Sequence, residues 1–144
     1  MTLETLKSKE ELRDLIDAYA SLGDDKKIAE VMALFVPNAT YTVFMNGTQI
    51  ASTTGTDILE KEFSQHASQV KTYFTLNGQH NVKIEGDRAS GTSFTQIKMI
   101  RESEGKDNLT DYSVRYDDTY VNQDGKWLIE NRVGHFIMIE TRSF

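Results

Sequence analysis

The feature that most constrains what this chain can fold into is a change of hydrophobic period near Lys71. Upstream, apolar residues recur at helical spacing; downstream they alternate. Leu12, Leu15, Ile16 and Tyr19 make one apolar helix face, and Ser8-Lys9-Glu10-Glu11 ahead of them has capping-box spacing. Gly23 can stop that helix. Asp24 or Asp25 then caps a second helix over Lys26–Phe35, with Ile28, Val31, Met32 and Phe35 as its buried stripe, ended by Pro37-Asn38. Thr40–Met45 and Thr48–Ser52 flank Asn46-Gly47, a strong hairpin signal because both turn residues tolerate positive φ. A third helix opens at Thr56 and runs to about Val70, with Ile58, Leu59, Phe63, Ala67 and Val70 facing inward.

Downstream, Tyr73–Glu85, Arg88–Ile100, Leu109–Val121 and Trp127–Ile139 read as long strands. They are separated by turns at Gly86-Asp87, Glu104–Asp107 and Asn122–Gly125. Long antiparallel strands joined by short turns, with helices on one face, define the α+β class. Strands of this length bend, so the expected shape is a cone-shaped α+β barrel. Three N-terminal helices pack on a curved, mostly antiparallel six-stranded sheet.

Composition narrows the function classes. A chain of 144 residues with one proline and no low-complexity tract reads as a single domain over 1–144. Without cysteine, disulfides and thiolate metal sites are excluded. Net charge is −6, with acids and bases interleaved, and no basic stripe suits nucleic acid. No run is apolar enough to span a membrane. Met1–Glu11 is too polar for a secretion signal, so the expected location is cytoplasmic, and Asn38, Asn46 and Asn108 read as turn residues rather than glycan sites. There is no Gly-x-Gly-x-x-Gly, phosphate loop or Ser-His-Asp arrangement, and no cofactor is expected. His66, His80 and His135 are scattered without ligand spacing, so no metal is expected; Glu62 and His66 read as an i, i+4 surface pair.

Several short pieces, in order, resemble the SnoaL-like branch of the nuclear-transport-factor-2 / ketosteroid-isomerase superfamily, the branch that includes scytalone dehydratase-like proteins. They are Leu15-Ile16-x2-Tyr19-Ala20-x3-Asp24, Leu34-Phe35-x2-Asn38-Ala39, Asn77-Gly78-Gln79 and Ile84–Gly91, then Tyr116-x-Asp118-x-Tyr120 and Asp124-Gly125-x-Trp127-x-Ile129. The resemblance covers nearly the whole chain. It implies a cone fold that carries dehydratases, isomerases, cyclases, dehydrochlorinases and plain binding modules. In dehydratase-type members the Tyr-x4-Asp opening is paired with a histidine early in the first long strand. That position is Thr75 here, and a second acid found in some members falls near Ile97. The chain thus keeps Tyr19 and Asp24 while its dyad looks broken.

Asp24 is the leading catalytic candidate. A carboxylate under an apolar cone can take a proton from carbon beside a carbonyl or a leaving group; the alternative is a solvent-facing helix cap. Tyr19 either donates to an oxyanion or packs as a core tyrosine. A bulge at Asn77-Gly78 would turn His80 inward as a partner for Asp24, and His135 on the last strand is a second such candidate. Thr75, Asn77 and Gln79 share a strand face and, with Tyr41, Tyr112, Tyr116 and Trp127, are the expected ligand contacts. Phe44, Phe74, Phe94, Met99 and Phe136 add apolar lining.

Two functions follow. One is a cofactor-free lyase or isomerase of dehydratase or cyclase type, abstracting a proton from a small hydrophobic molecule. The other is a non-catalytic small-ligand-binding or assembly domain, motivated by Thr75. Either way a homo-oligomer, dimer or trimer, is expected, because Phe94, Gln96 and Lys98 on the outer sheet face would be half exposed in a monomer.

Overall fold

The computed structural model describes residues 1–144. Its elements in chain order are α1 (Leu3–Asp24), α2 (Ile28–Met32), β1 (Phe35–Met45), β2 (Thr48–Thr54), α3 (Thr56–Ser68), β3 (Thr72–Glu85), β4 (Arg88–Ser103), β5 (Lys106–Gln123) and β6 (Lys126–Ser143). The strands form one six-stranded sheet in the order β2-β1-β6-β5-β4-β3. All neighbours are antiparallel except β1 and β6. This is the expected α+β architecture of helices on a curved sheet. The sheet is not closed into a barrel, because β2 and β3 remain its edges.

Helix boundaries depart from the sequence reading. The first helix starts one and a half turns earlier, at Leu3, because the Thr2 side chain accepts from the Thr5 amide and provides the cap that Ser8 was expected to give. It runs through Gly23 to Asp24, so Asp24 ends α1 instead of capping α2. The second helix shrinks to Ile28–Met32, with no side-chain cap. The chain leaves it to pair with the sheet: the Leu34 carbonyl accepts from the Ile129 amide at 2.8 Å, and Phe35 already lies in β1. In α3, Leu59 and Ala67 are buried one above the other, with Phe63 partly buried between them. Ile58 lies about 100° around the helix and is exposed, against expectation.

The hairpin forms where Asn46-Gly47 predicts it, with φ of 51° and 82°. The four long strands occupy the expected segments, each slightly extended. In β4 the alternation is regular: Ala89, Gly91, Ser93, Thr95, Ile97 and Met99 are buried, and their neighbours point outward.

Two cores result. The larger one joins Leu12, Leu15 and Ile16 of α1 to Val31, Met32, Leu59, Tyr120, Trp127 and Ile129. The smaller one, Val70, Ile97, Met99, Val114 and Tyr116, sits on the sheet farther along the strands. Between them the concave face is left open. Helix α1 is fastened to β3 beside that opening. Arg13 Nη1 donates to the Gly78 carbonyl at 2.7 Å, and Asn77 Nδ2 donates to Asp17 Oδ1 at 2.9 Å.

Candidate active site

A cavity of about 420 Å³ occupies the concave face, lined by 25 residues of which 16 are hydrophobic. Such a lining suits a small, mostly apolar ligand held by few polar groups. Asp24 enters it from the end of α1, Tyr19 from the preceding turn, Thr75 and Asn77 from β3, and Arg132 from β6.

Asp24 lies against Thr75. The Thr75 amide donates to Asp24 Oδ2 at 2.8 Å and the Thr75 hydroxyl to Oδ1 at 2.6 Å. Each oxygen keeps a lone pair for another partner.

Arg132 is 1 % exposed and packs against two phenol rings. Its guanidinium carbon is 4.2 Å from the Tyr19 ring centroid and 3.6 Å from that of Tyr116. Nε lies 3.1 Å from Asp118 Oδ1, while Nη1 is buried without a hydrogen-bond partner. Asp118 also accepts from the Tyr120 hydroxyl at 2.7 Å, and that hydroxyl is 3.0 Å from His80 Nε2. Burial pushes the Asp118 carboxyl up and Arg132 opposes it. Burial works against the charge on Arg132, but Asp118 and the surrounding phenols outweigh it and hold the guanidinium firmly protonated. Burial likewise raises Tyr19, Tyr41 and Tyr116, so these phenols stay neutral donors.

The remaining site expectations divide by location. Tyr41, Tyr112 and Tyr116 line the cavity, as do Met99 and Phe136. Asn77 lines it too, but its amide nitrogen is engaged by Asp17 and by the Ile16 carbonyl. Gln79, His80, His135 and Trp127 lie outside the lining. The expected bulge is present, as a register shift between Asn77 and His80. It reverses which residues of β3 face inward, so Gln79 is exposed. His80 does turn toward the helix-covered side, where it meets Tyr120 instead of Asp24. Burial first, then the Arg13 charge, brings the His80 pKa down to about 4. His135 is on the outer face, stacked on Phe44 at 5.1 Å and 3.2 Å from Asp117. Trp127 belongs to the larger core. Phe74 and Phe94 are exposed. No cluster of three or more potential metal ligands exists.

Sequence reasoning missed Arg132. Alternation from Trp127 and Ile129 puts residue 132 on the outer face. A register shift in the β5–β6 pairing, between Thr119 and Tyr120, changes the parity and brings Arg132 inward. It also missed His66 and Glu62, which line the rim of the cavity rather than forming a plain surface pair: Glu62 accepts from Thr53 at 2.6 Å.

A family profile described as the SnoaL-like domain matches residues 4–133. The chain belongs to the SnoaL-like domain family. No curated protein matches it in sequence. Among solved structures, a proposed scytalone dehydratase from Novosphingobium aromaticivorans superposes with a TM-score of 0.83 at 21 % identity, covering 100 % of this chain and 92 % of that one. A type 2 hexachlorocyclohexane dehydrochlorinase superposes at 0.79 with 12 % identity, covering 97 % and 92 %. The β subunit of a proposed aromatic-ring-hydroxylating dioxygenase from N. aromaticivorans gives 0.79 at 17 %, covering 94 % and 93 %. At these identities the likeness establishes the fold that SnoaL-like domains share, and that fold hosts more than one chemistry.

Proposed function

We propose that this SnoaL-like domain is a cofactor-free lyase or isomerase that abstracts a proton from a small hydrophobic molecule, with Asp24 as base. The observation that carries this reading is one apolar cavity lined by both a carboxylate, Asp24, and a buried arginine, Arg132. Asp24 takes a proton from carbon next to a carbonyl. The electron pair moves onto the carbonyl oxygen, and the positive charge of the Arg132 guanidinium at the cavity wall stabilises the resulting anion. Preorganised charge of this kind, beside apolar walls, lowers the barrier where negative charge develops. Tyr19 and Tyr116 both pack against the guanidinium, and Tyr19 is the candidate second donor to the anion. The carbanion then expels a leaving group from the adjacent carbon, or regains the proton at another carbon. The neighbours named as a proposed scytalone dehydratase and a dehydrochlorinase favour a lyase or isomerase over other classes.

The test is Asp24→Asn, with turnover of aromatic and alicyclic hydroxy-ketones followed by absorbance. The expected result is a fall of 100-fold or more, with the circular dichroism spectrum unchanged. Full activity in that variant removes the assignment.

A second reading, a non-catalytic binding domain, has one observation in its favour: Thr75 stands where dehydratase-type relatives carry histidine, and it occupies both oxygens of Asp24. Ligand affinity unaffected by Asp24→Asn, with no turnover of any bound compound, would favour it.

The partner expected on the outer sheet face is a second copy of the chain. Phe74, Leu76, Phe94 and Met138 are exposed there. Lys98, Arg115, Asp111 and Asp117 on the same strands interleave both signs, as a self-complementary face requires.

A further inference from the structure

His66, Tyr73 and Arg101 form a chain at the rim of the cavity, and its hydrogen-bond directions can be worked out. Arg101 Nη2 is 3.1 Å from His66 Nε2. A guanidinium has only protons to give, so Nε2 must accept. His66 is then a neutral imidazole with its proton on Nδ1. Nδ1 lies 2.6 Å from the Tyr73 hydroxyl oxygen and donates to it. The phenol's own proton is therefore not used in that contact, and no protein group accepts it. Both His66 and Tyr73 line the cavity. Their rings stack at 5.8 Å, which fixes the pair as a unit, and Arg101 Nη1 reaches the Tyr112 hydroxyl at 3.4 Å on the same side. Burial and the Arg101 charge lower the His66 pKa, in keeping with a neutral ring. Burial raises the phenol of Tyr73 to about 12, which keeps it a hydrogen-bond donor rather than a phenolate.

We propose that Tyr73, oriented by His66 and Arg101, is a ligand-binding donor that takes a carbonyl or hydroxyl oxygen at the rim of the cavity, so that the ligand is an apolar molecule with oxygen functions at two places. One meets Arg132 in the interior and the other meets Tyr73 at the rim. This rests on reading the cavity as a small-molecule site. It does not require that Asp24 be a base. It brings α3, which contributes no residue to the Tyr-x4-Asp motif, into ligand recognition.

The experiment has two readouts on the full chain. Nitrogen-15 spectra of histidine-labelled protein should give His66 as a neutral ring protonated at Nδ1, and Arg101→Met should release that tautomer. A ring found protonated at Nε2 in the wild-type protein overturns the proposal. The second readout uses 2-acetyl-6-(dimethylamino)naphthalene, whose emission moves to the red when its carbonyl accepts a hydrogen bond in an apolar site. It should bind with red-shifted emission that Tyr73→Phe abolishes, with three- to tenfold weaker binding. His66→Asn, which keeps a donor near the Nδ1 position, should retain most of the shift. Unchanged emission in Tyr73→Phe, or no binding of the probe, overturns it. Loss of turnover in Asp24→Asn bears on the catalytic reading alone, so the two can fail separately.

Discussion

Thr75 holds both oxygens of Asp24, one through its amide at 2.8 Å and one through its hydroxyl at 2.6 Å. The contact joins the last residue of α1 to β3, so the acid at the cavity is also a tie between helix and sheet. Thr75→Val keeps the amide bond and removes the hydroxyl one. The expected loss is about 1 kcal/mol in urea unfolding, the net worth of one such bond. Thr75→Ser should sit within about 0.5 kcal/mol of wild type, since it keeps both donors. A Val variant as stable as wild type shows that the hydroxyl contributes nothing.

Arg132 and Asp118 are both buried, at 1 % and 4 % exposure, and depend on each other. Arg132→Met leaves a buried carboxylate without its cation, and a loss of about 3–5 kcal/mol is expected. Pairing it with Asp118→Leu removes the orphan charge and should recover part of that loss, to within about 2 kcal/mol of wild type, measured by chemical unfolding. Arg132→Lys keeps the charge but not the flat guanidinium that packs against the Tyr19 and Tyr116 rings. It should be less stable than wild type, and under the proposed chemistry it should lose turnover.

His80 gives the fold an acid-sensitive element. Folded, it protonates only near pH 4, against an ordinary value of 6.5. Between those values the unfolded chain binds more protons, so stability falls as pH drops through the window. The contribution is fully present above about pH 6.5 and gone below about pH 4. Burial is the main cause; the Arg13 and Arg132 charges add to it and Asp17 opposes it, while the Tyr120 hydroxyl faces Nε2 at 3.0 Å. His66 shifts in the same direction, so the informative quantity is a difference. His80→Gln, which keeps a donor for Tyr120, should flatten the fall by roughly 1–3 kcal/mol between pH 7 and 4. Parallel pH curves for the two proteins contradict the prediction.

These residues show how far the sequence could be read. The long strands, the Asn46-Gly47 hairpin and the helix face of Leu12, Leu15 and Ile16 follow from periodicity and turn chemistry, which are local. The helix end at Tyr19–Asp24 drew attention to those two residues, and the resemblance to SnoaL-like dehydratases drew attention to Thr75. His80 turned inward at the Asn77-Gly78 bulge that the sequence suggested, but met Tyr120 instead of Asp24. Gln79 was misplaced and Arg132 missed for one reason. A bulge resets the inward parity of a strand, and its position depends on the partner strand rather than on nearby residues. Helix ends failed differently. Thr2 outcompeted Ser8 as a cap, and the pull of β6 on Leu34 and Phe35 shortened α2. The roles of His66 and Tyr73 needed the third dimension, because Arg101, 35 residues from His66, decides the tautomer.

Gly91 sits under the Tyr120–His80 contact. A Cβ there would lie 2.9 Å from Tyr120 Cε2 and 3.0 Å from His80 Nε2. Tyr120 is fully buried, so its ring has little room to yield. Gly91→Ala should therefore cost about 1–3 kcal/mol by overpacking. In thermal unfolding that is a lower midpoint by roughly 3–8 °C for a domain of this size. An unchanged midpoint would mean that the Tyr120 ring moves freely, and with it the chain of contacts to Asp118.

The outer sheet face carries the last prediction. Leu76 is 62 % exposed and Phe74 57 % on the edge strand β3, and Met138 64 % on β6. If a second copy is its partner, the wild-type chain should sediment as a dimer or trimer. Phe94→Lys combined with Leu76→Glu places charge in that interface, on residues outside the cavity lining. The double variant should sediment as a monomer at micromolar concentration, with its circular dichroism unchanged. Because Arg132 and Asp24 lie on the concave side, binding of the naphthalene ketone should persist in the monomer within a fewfold of wild type. A wild-type protein that is already monomeric at that concentration rules out the second copy as the partner. Loss of ketone binding on monomerisation would instead mean that the assembly shapes the cavity.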